Sequence, residues 1–175
     1  MLRSEHYGSL KFLLASENKT SLFAKFLATI SKPGDIYALR GTLGSGKTTV
    51  ARYFIHSLIE KMEEIPSPTF TMVQIYDALL CPIYHFDMYR LNQPSDSIEL
   101  GIDEAFAEGI SLIEWPEHLG PFLPNNRLDI CMYLGRTEIS RKIEIIAQNQ
   151  DWTDRLKQLS FQLNKLGITL NPSDI

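Results

Sequence analysis

Gly41-Thr42-Leu43-Gly44-Ser45-Gly46-Lys47-Thr48-Thr49 is the stretch on which the reading of this chain turns, because its spacing specifies a ligand. Gly41, Gly46, Lys47 and Thr48 fill the pattern G-x-x-x-x-G-K-[S/T] of a phosphate-binding loop. The glycines, with Gly44 as a third, let the backbone turn tightly and aim its N–H groups at a phosphate chain. Lys47 would bring a cation to the terminal phosphates. The Thr48 hydroxyl would take one position around a magnesium ion that otherwise keeps its waters.

The flanks agree with this. Ile36-Tyr37-Ala38-Leu39, announced by the turn Pro33-Gly34-Asp35, reads as a short buried strand. After the loop, Val50, Ala51, Phe54, Ile55, Leu58 and Ile59 recur as one buried helical face, with Arg52, His56 and Glu60 turned outward. Strand, loop and helix in that order put the phosphates at a helix N-terminus, where free N–H groups and the dipole attract anions.

At 175 residues the chain is expected to be a single domain, 1–175, with a proper core. Apolar residues at 44% and charged residues at 22% are those of an ordinary globular protein. No apolar run approaches the ~20 residues of a membrane span. The opening Met1–Ser16 lacks the continuous apolar core of a secretory signal, so a cytoplasmic location and no membrane partner are expected. Cys81 and Cys131 have no neighbours at metal-ligand spacing and are expected reduced and partly buried. A net charge of −4 argues against an autonomous nucleic-acid binder. If the chain serves nucleic-acid chemistry, another subunit holds the nucleic acid.

Around this centre, Leu10–Ala15 is a possible first strand, and Leu22, Phe23, Phe26, Leu27 and Ile30 form a helical stripe capped by Thr20 or Ser21. Pro66-Ser67-Pro68-Thr69-Phe70 leads into a strand, Thr71–Tyr76, which pairs with Pro82–Tyr89 as an antiparallel hairpin. Ser95–Glu99 starts a short helix ending at Gly101, Asp103–Ala107 is another, and Ile110–Glu114 is a strand broken by Trp115-Pro116. Leu128–Leu134 and Ile139–Ile146 pair through Gly135-Arg136-Thr137. A last helix, about 151–166, is capped by Asp151 and striped by Trp152, Leu156, Leu159, Leu163 and Leu166, with a frayed tail from 168 to 175. The pattern is α/β, a phosphate-loop NTPase-like three-layer sandwich. Its mixed central sheet has a parallel core plus antiparallel strands and is flanked by helices.

A phosphate-binding loop needs acids at the ends of neighbouring strands, because magnesium is held on the protein side by the loop hydroxyl and a carboxylate. Glu114 ends its strand, and Asp87 qualifies if its strand points the same way. His85 is read as a packed or hydrogen-bonded histidine in preference to a base, Trp115 as a base-stacking or loop-anchoring ring, and Arg136 and Arg141 as solvated strand charges in preference to a cation for the transferred phosphoryl group.

GTLGSGKTT, SPTFTMVQIYD, IYHFDMYRL, GIDEAF and ISLIEWPE, followed by Leu123-Pro124, together resemble the TsaE (YjeE) family in sequence and order. The resemblance implies an ATP-binding and hydrolysing subunit required for N6-threonylcarbamoyladenosine in tRNA. Such a subunit acts with the TsaB and TsaD subunits of the threonylcarbamoyl-transferase to permit its turnover, and meets tRNA only through that complex. ATP and Mg²⁺ are the implied cofactors. Carried over by motif, Lys47, Asp87 and Glu114 would be catalytic, and Thr48, Asp87 and Glu114 would hold the metal. Thr20, Thr42, Leu43, Gly44, Ser45, Gly46, Lys47, Thr48, Thr49, Ser67, Thr69 and Trp115 would line the nucleotide, Ser67 and Thr69 in a segment sensing the terminal phosphate. The family usually has an acid where Thr42 stands and often an apolar residue at Arg40; Arg141 aligns only loosely with a family arginine. A small-molecule or nucleoside kinase, or a nucleotide-gated binding module without catalysis, would use the same loop.

Overall fold

The computed structural model describes residues 8–60 and 64–168. Seven strands, β1 Gly8–Leu14, β2 Ile36–Arg40, β3 Val73–Tyr76, β4 Ile83–Asp87, β5 Ile110–Glu114, β6 Leu128–Leu134 and β7 Arg141–Ala147, make one sheet. Its order is β1-β7-β6-β2-β5-β4-β3. The pairs β6–β2, β2–β5 and β5–β4 are parallel. β3 joins β4 antiparallel, and β7 and β1 extend the other side antiparallel.

The residue patterns follow this division. β4 and β5 are buried at every position, as parallel strands covered on both faces must be. The β7 residues alternate from Ile143 on, as in a strand covered on one face. Helices α1 Glu17–Thr29, α2 Lys47–His56 and α4 Gln150–Lys165 pack with Tyr37, Leu39, Leu112 and Ile145 on one face. Helix α3 Ile102–Glu108 and two 3₁₀ segments, Pro94–Ile98 and Pro116–Phe122, cover Ile36, Tyr84, Phe86 and Ile113 on the other. The three-layer α/β expectation holds. Among the described residues no helix is long and apolar enough to cross a membrane.

Several boundaries move for local reasons. Helix α1 starts earlier than its stripe suggested: Ser16, in extended backbone, accepts the Lys19 N–H at 3.4 Å, so Thr20 and Ser21 lie inside the helix and do not cap it. Helix α2 ends at His56, and Leu58 and Ile59 continue the apolar contact from a turn. β3 begins at Val73, after a left-handed Met72, and β7 at Arg141, leaving Ile139 64% exposed in the connection. The expected helix start at Ser95 is a 3₁₀ turn in which the Asp96 carboxylate accepts from both nitrogens of Gln93. Asn149 caps α4 by accepting the Trp152 N–H at 3.2 Å, so Asp151 is a first-turn residue instead of the cap. Ile168, assigned to the frayed tail, is fully buried and its N–H bonds the Leu163 carbonyl. The rest of that tail, 169–175, lies outside the described residues. Cys81 and Cys131 are free and partly buried.

Helix α4 is tied to the strand that feeds the loop. The Trp152 ring meets Tyr37 of β2 edge-on at 5.3 Å between centroids, and the Arg155 guanidinium lies 3.6 Å over the other side of Trp152. Arg155 also donates to Asp35 Oδ1 at 2.9 Å and Oδ2 at 2.5 Å, just before β2. Burial, reinforced by the Asp35 charge, pushes the Tyr37 hydroxyl well above its ordinary pKa, so it stays a neutral hydrogen-bonding group. Trp152→Ala is expected to cost about 3–5 kcal/mol, read as a lower urea midpoint at unchanged slope. A loss below about 1 kcal/mol would show that α4 is not part of the core.

Candidate functional site

Sheet register assembles the site. Glu114 is the register partner of Leu39 in β2 and of Asp87 in β4. Because all three strands run the same way, both acids stand side by side at carboxyl ends, next to the loop that leaves β2. The direction that Asp87 needed is therefore supplied by the parallel β4–β5 pair. Both carboxylates are buried, Glu114 at 2% and Asp87 at 4% exposure. The chain leaves β2 for α2 and reaches β4 before returning to β5, while β6 lies on the other side of β2. The loop thus opens at the point where neighbouring connections diverge, the usual ligand position of such sheets.

The loop needs its glycines in two specific places. Gly41 has φ 143°, and a Cβ there would stand 2.5 Å from the Met132 carbonyl oxygen and 2.6 Å from Ser45 Oγ. Gly46, at φ 104°, caps α2 without a side chain, so the first amides of the helix are not covered by a capping oxygen. Lys47 folds back over the loop, donating to the Gly41 carbonyl at 2.8 Å and the Thr42 carbonyl at 3.0 Å. Its ammonium sits 3.9 Å over the Trp115 ring. Burial lowers the Lys47 pKa, against the opposing pull of Glu114, Asp87 and Glu117. Trp115 reaches this position because it leaves β5 in a left-handed conformation, φ 56° and ψ 48°, which is strained for a side chain of its size.

Thr48 Oγ1 donates to Glu114 Oε2 at 2.9 Å. His85 Nε2 lies 2.9 Å from the other oxygen, Oε1. Asp87 is engaged from a different side: Thr69 donates to Oδ2 at 2.8 Å and the Tyr89 N–H to Oδ1 at 3.0 Å. Ser67 meets Thr69 at 2.8 Å between hydroxyls, so it reaches Asp87 only through Thr69. Thr42, Leu43 and Gly44 are exposed at the loop crest, whereas Ser45 is buried. Thr20 is apart from the acids. With Glu17, Gly46, Thr49, Met132 and Arg141 it lines a cleft of about 190 Å³ on the α1 side of the loop.

Arg141 is not the solvated strand charge that its position suggested. Its Nε donates to the Ser45 carbonyl at 2.9 Å and its Nη2 to the Gly44 carbonyl at 3.3 Å, tying β7 to the loop. His85 is the other residue whose contact was not readable, since it depends on β4 lying beside β5. The donor set that results is all hard oxygen: one hydroxyl and two carboxylates. Among the described residues no group of three or more His, Cys, Asp or Glu could hold a metal ion. A hydroxyl and two carboxylates would suit a magnesium ion whose other positions are filled by phosphate oxygens and waters. Arg141→Ala should speed exchange of the Ser45 amide, whose N–H bonds the Thr42 carbonyl at 3.1 Å, about tenfold or more, the worth of hydrogen bonds from a charged donor, while leaving exchange in β5 unchanged. Unaltered exchange in the loop would show that the tie is unimportant.

Comparison with known proteins places this geometry in a family. Residues 14–143 match the model of the Threonylcarbamoyl adenosine biosynthesis protein TsaE. The tRNA threonylcarbamoyladenosine biosynthesis protein TsaE of Rickettsia typhi is 46% identical over 104 residues, covering 59% of this chain and 72% of that protein. Its counterpart in Bacillus subtilis is 39% identical over 125 residues, 70% and 77% of the two chains. The crystal structure of Bacillus subtilis YdiB superposes with a TM-score of 0.74 at 31% identity, over 89% of this chain and 96% of that one. The chain belongs to the TsaE family of threonylcarbamoyladenosine biosynthesis proteins.

Proposed function

We propose that this chain binds ATP with Mg²⁺ in the Gly41–Thr49 loop and hydrolyses it, as the nucleotide-driven subunit of tRNA N6-threonylcarbamoyladenosine synthesis in the cytoplasm. The observation that carries the reading is the pair of buried acids at register-matched strand ends, one of them already bonded to the loop hydroxyl. An adventitious glycine turn would have no reason to face two buried carboxylates, which are costly to bury without work to do.

In this reading the loop amides and Lys47 hold the phosphates, and Thr48, Asp87 and Glu114 hold the metal side. Magnesium, when bound, would neutralise charge building on the phosphate oxygens. Glu114 would also orient the attacking water, and Thr69, which bonds Asp87, would register the terminal phosphate together with Ser67. Thr20 and Thr49, in the cleft beside Gly46, would meet the nucleotide beyond its phosphates.

Two nearby arginines are committed elsewhere. Arg141 holds the loop carbonyls, and Arg40 pairs with Asp129 at 2.8 Å and with Glu117 at 3.4 Å. With neither of these arginines free for the transferred phosphoryl group, hydrolysis by the isolated chain should be slow, on the order of 10⁻⁴ to 10⁻³ s⁻¹. TsaB and TsaD, the partners that the family resemblance implies, would raise that rate, and hydrolysis would reset their complex for another round.

Phosphate release from ATP should be measured for the purified chain, alone and with the matching TsaB and TsaD. The expected result is a slow basal rate that the partners raise and that Lys47→Ala lowers about 100-fold or more. Labelled phosphate appearing on an added nucleoside or small acceptor, instead of in solution, would replace this reading with a kinase.

A further inference from the structure

His85 is fully buried in the middle of β4, two residues before Asp87. On that face its register neighbours are Leu112 of β5 and Gln74 of β3. Its Nε2 meets Glu114 Oε1 at 2.9 Å, whereas Nδ1 is buried with no hydrogen-bond partner among the described residues. As a packing residue it is a poor choice. A buried ring nitrogen left unpaired is costly, and an apolar side chain of similar volume would suit Leu112 and Ile83 without that cost. The one contact that His85 makes through its polar edge is with the acid the site depends on.

The geometry of that acid gives the contact a purpose. Glu114 is gripped at both oxygens, Oε1 by His85 and Oε2 by Thr48. The two grips differ in kind. Thr48 belongs to the loop, and its hydroxyl is the group that would turn toward a magnesium ion when nucleotide arrives. His85 sits fully buried on β4, between β5 and β3, and has nowhere to turn. Were Thr48 to hold such an ion, Oε2 would lose that partner while Oε1 would keep His85. A carboxylate held at one oxygen keeps a single orientation, and a carboxylate held at neither would rotate about its own axis.

We infer that His85 is a positioning residue for Glu114. Its Nε2–H fixes Oε1, so that Oε2 alone would exchange between Thr48 and the reacting groups. No proton is transferred to or from the histidine in this role. The direction of the bond follows from the partner: a carboxylate oxygen accepts, so Nε2 is the donor. The kinetic consequence rests on the hydrolase reading above; the hydrogen bond itself does not.

Two measurements test it on the full chain. The first needs no activity: long-range ¹H–¹⁵N spectra of ¹⁵N-histidine protein, with the His85 signals assigned by their loss in His85→Gln. The expected pattern is a protonated Nε2 whose signal shifts in Glu114→Gln. A protonated Nδ1 with a bare Nε2, or signals indifferent to Glu114→Gln, would overturn the inference whatever the chain does with ATP.

The second is single-turnover hydrolysis with nucleotide affinity measured in parallel. His85→Ala should slow hydrolysis about 10–100-fold, as loss of a group that orients a metal-site ligand does, with ATP affinity changed less than about threefold. His85→Gln, which can still donate to Oε1, should recover most of the rate and guards against a folding defect in the alanine variant. In a Glu114→Gln background, His85→Ala should have no further effect, because its action runs through Glu114. Equal slowing in both backgrounds, or no rescue by glutamine in a folded protein, would assign His85 a general structural role and refute the inference. Wild-type protein that forms the hydrogen bond but releases no phosphate, with or without partners, would sink the hydrolase reading and the kinetic role of His85 with it, leaving only the contact.

Discussion

The carboxylate of Glu114 is where sheet, loop and neighbouring strand meet: Thr48 of α2 donates to one oxygen and His85 of β4 touches the other, each at 2.9 Å. Burying such a group at 2% exposure is tolerable only because both oxygens are engaged. Much of the architecture can be understood as what holds that meeting point still. The parallel pairing of β2, β5 and β4 sets the height of Glu114 against Asp87 and against the loop. The α4 layer clamps the start of β2 through Trp152, Arg155 and Asp35, so the strand that feeds the loop is fixed at its far end. Arg141 fixes the loop from behind.

The two acids are wired to different parts of the chain, and this gives the site a division of labour. Glu114 is coupled to α2 and to the sheet interior. Asp87 is coupled through Thr69 to the Pro66–Met72 segment, whose Met72 is left-handed at φ 63° and whose Phe70 is 82% exposed. A displacement of Asp87 would therefore be passed through Thr69 to this surface segment, whereas Glu114 is held separately by Thr48 and His85. Strain is concentrated at the same spot, with Trp115 held at φ 56° over Lys47.

How far the sequence could be read depended on how local each feature is. The strand, loop and helix from Ile36 to Ile55 were legible because motif, turn and apolar periodicity lie in one continuous stretch. Asp87 and Glu114 were legible as strand-end acids, although their adjacency needed the parallel β4–β5 register. Ser16 escaped notice as the α1 cap because Thr20 and Ser21, nearer the apolar stripe, are equally competent residue types. Asn149 lost to Asp151 for the same reason. Arg141 could not be read at all, since the carbonyl that it holds is 96 residues away in the chain. His85 looked like any histidine in an apolar strand; what distinguishes it is a neighbour on another strand, 29 residues on. Ile168 was placed in a tail because nothing local marks it, yet its side chain completes the α4 core.

The central claim is that Glu114 serves the reaction more than the binding of nucleotide, and the most direct test is one side chain and two numbers. For Glu114→Gln, ATP affinity and the single-turnover rate of hydrolysis should be measured in the presence of Mg²⁺ on the same preparation. The account predicts affinity within about threefold of the unaltered chain and a rate lower by about 100-fold or more. A variant that loses affinity and rate in equal measure, or that hydrolyses at the original rate, would contradict it.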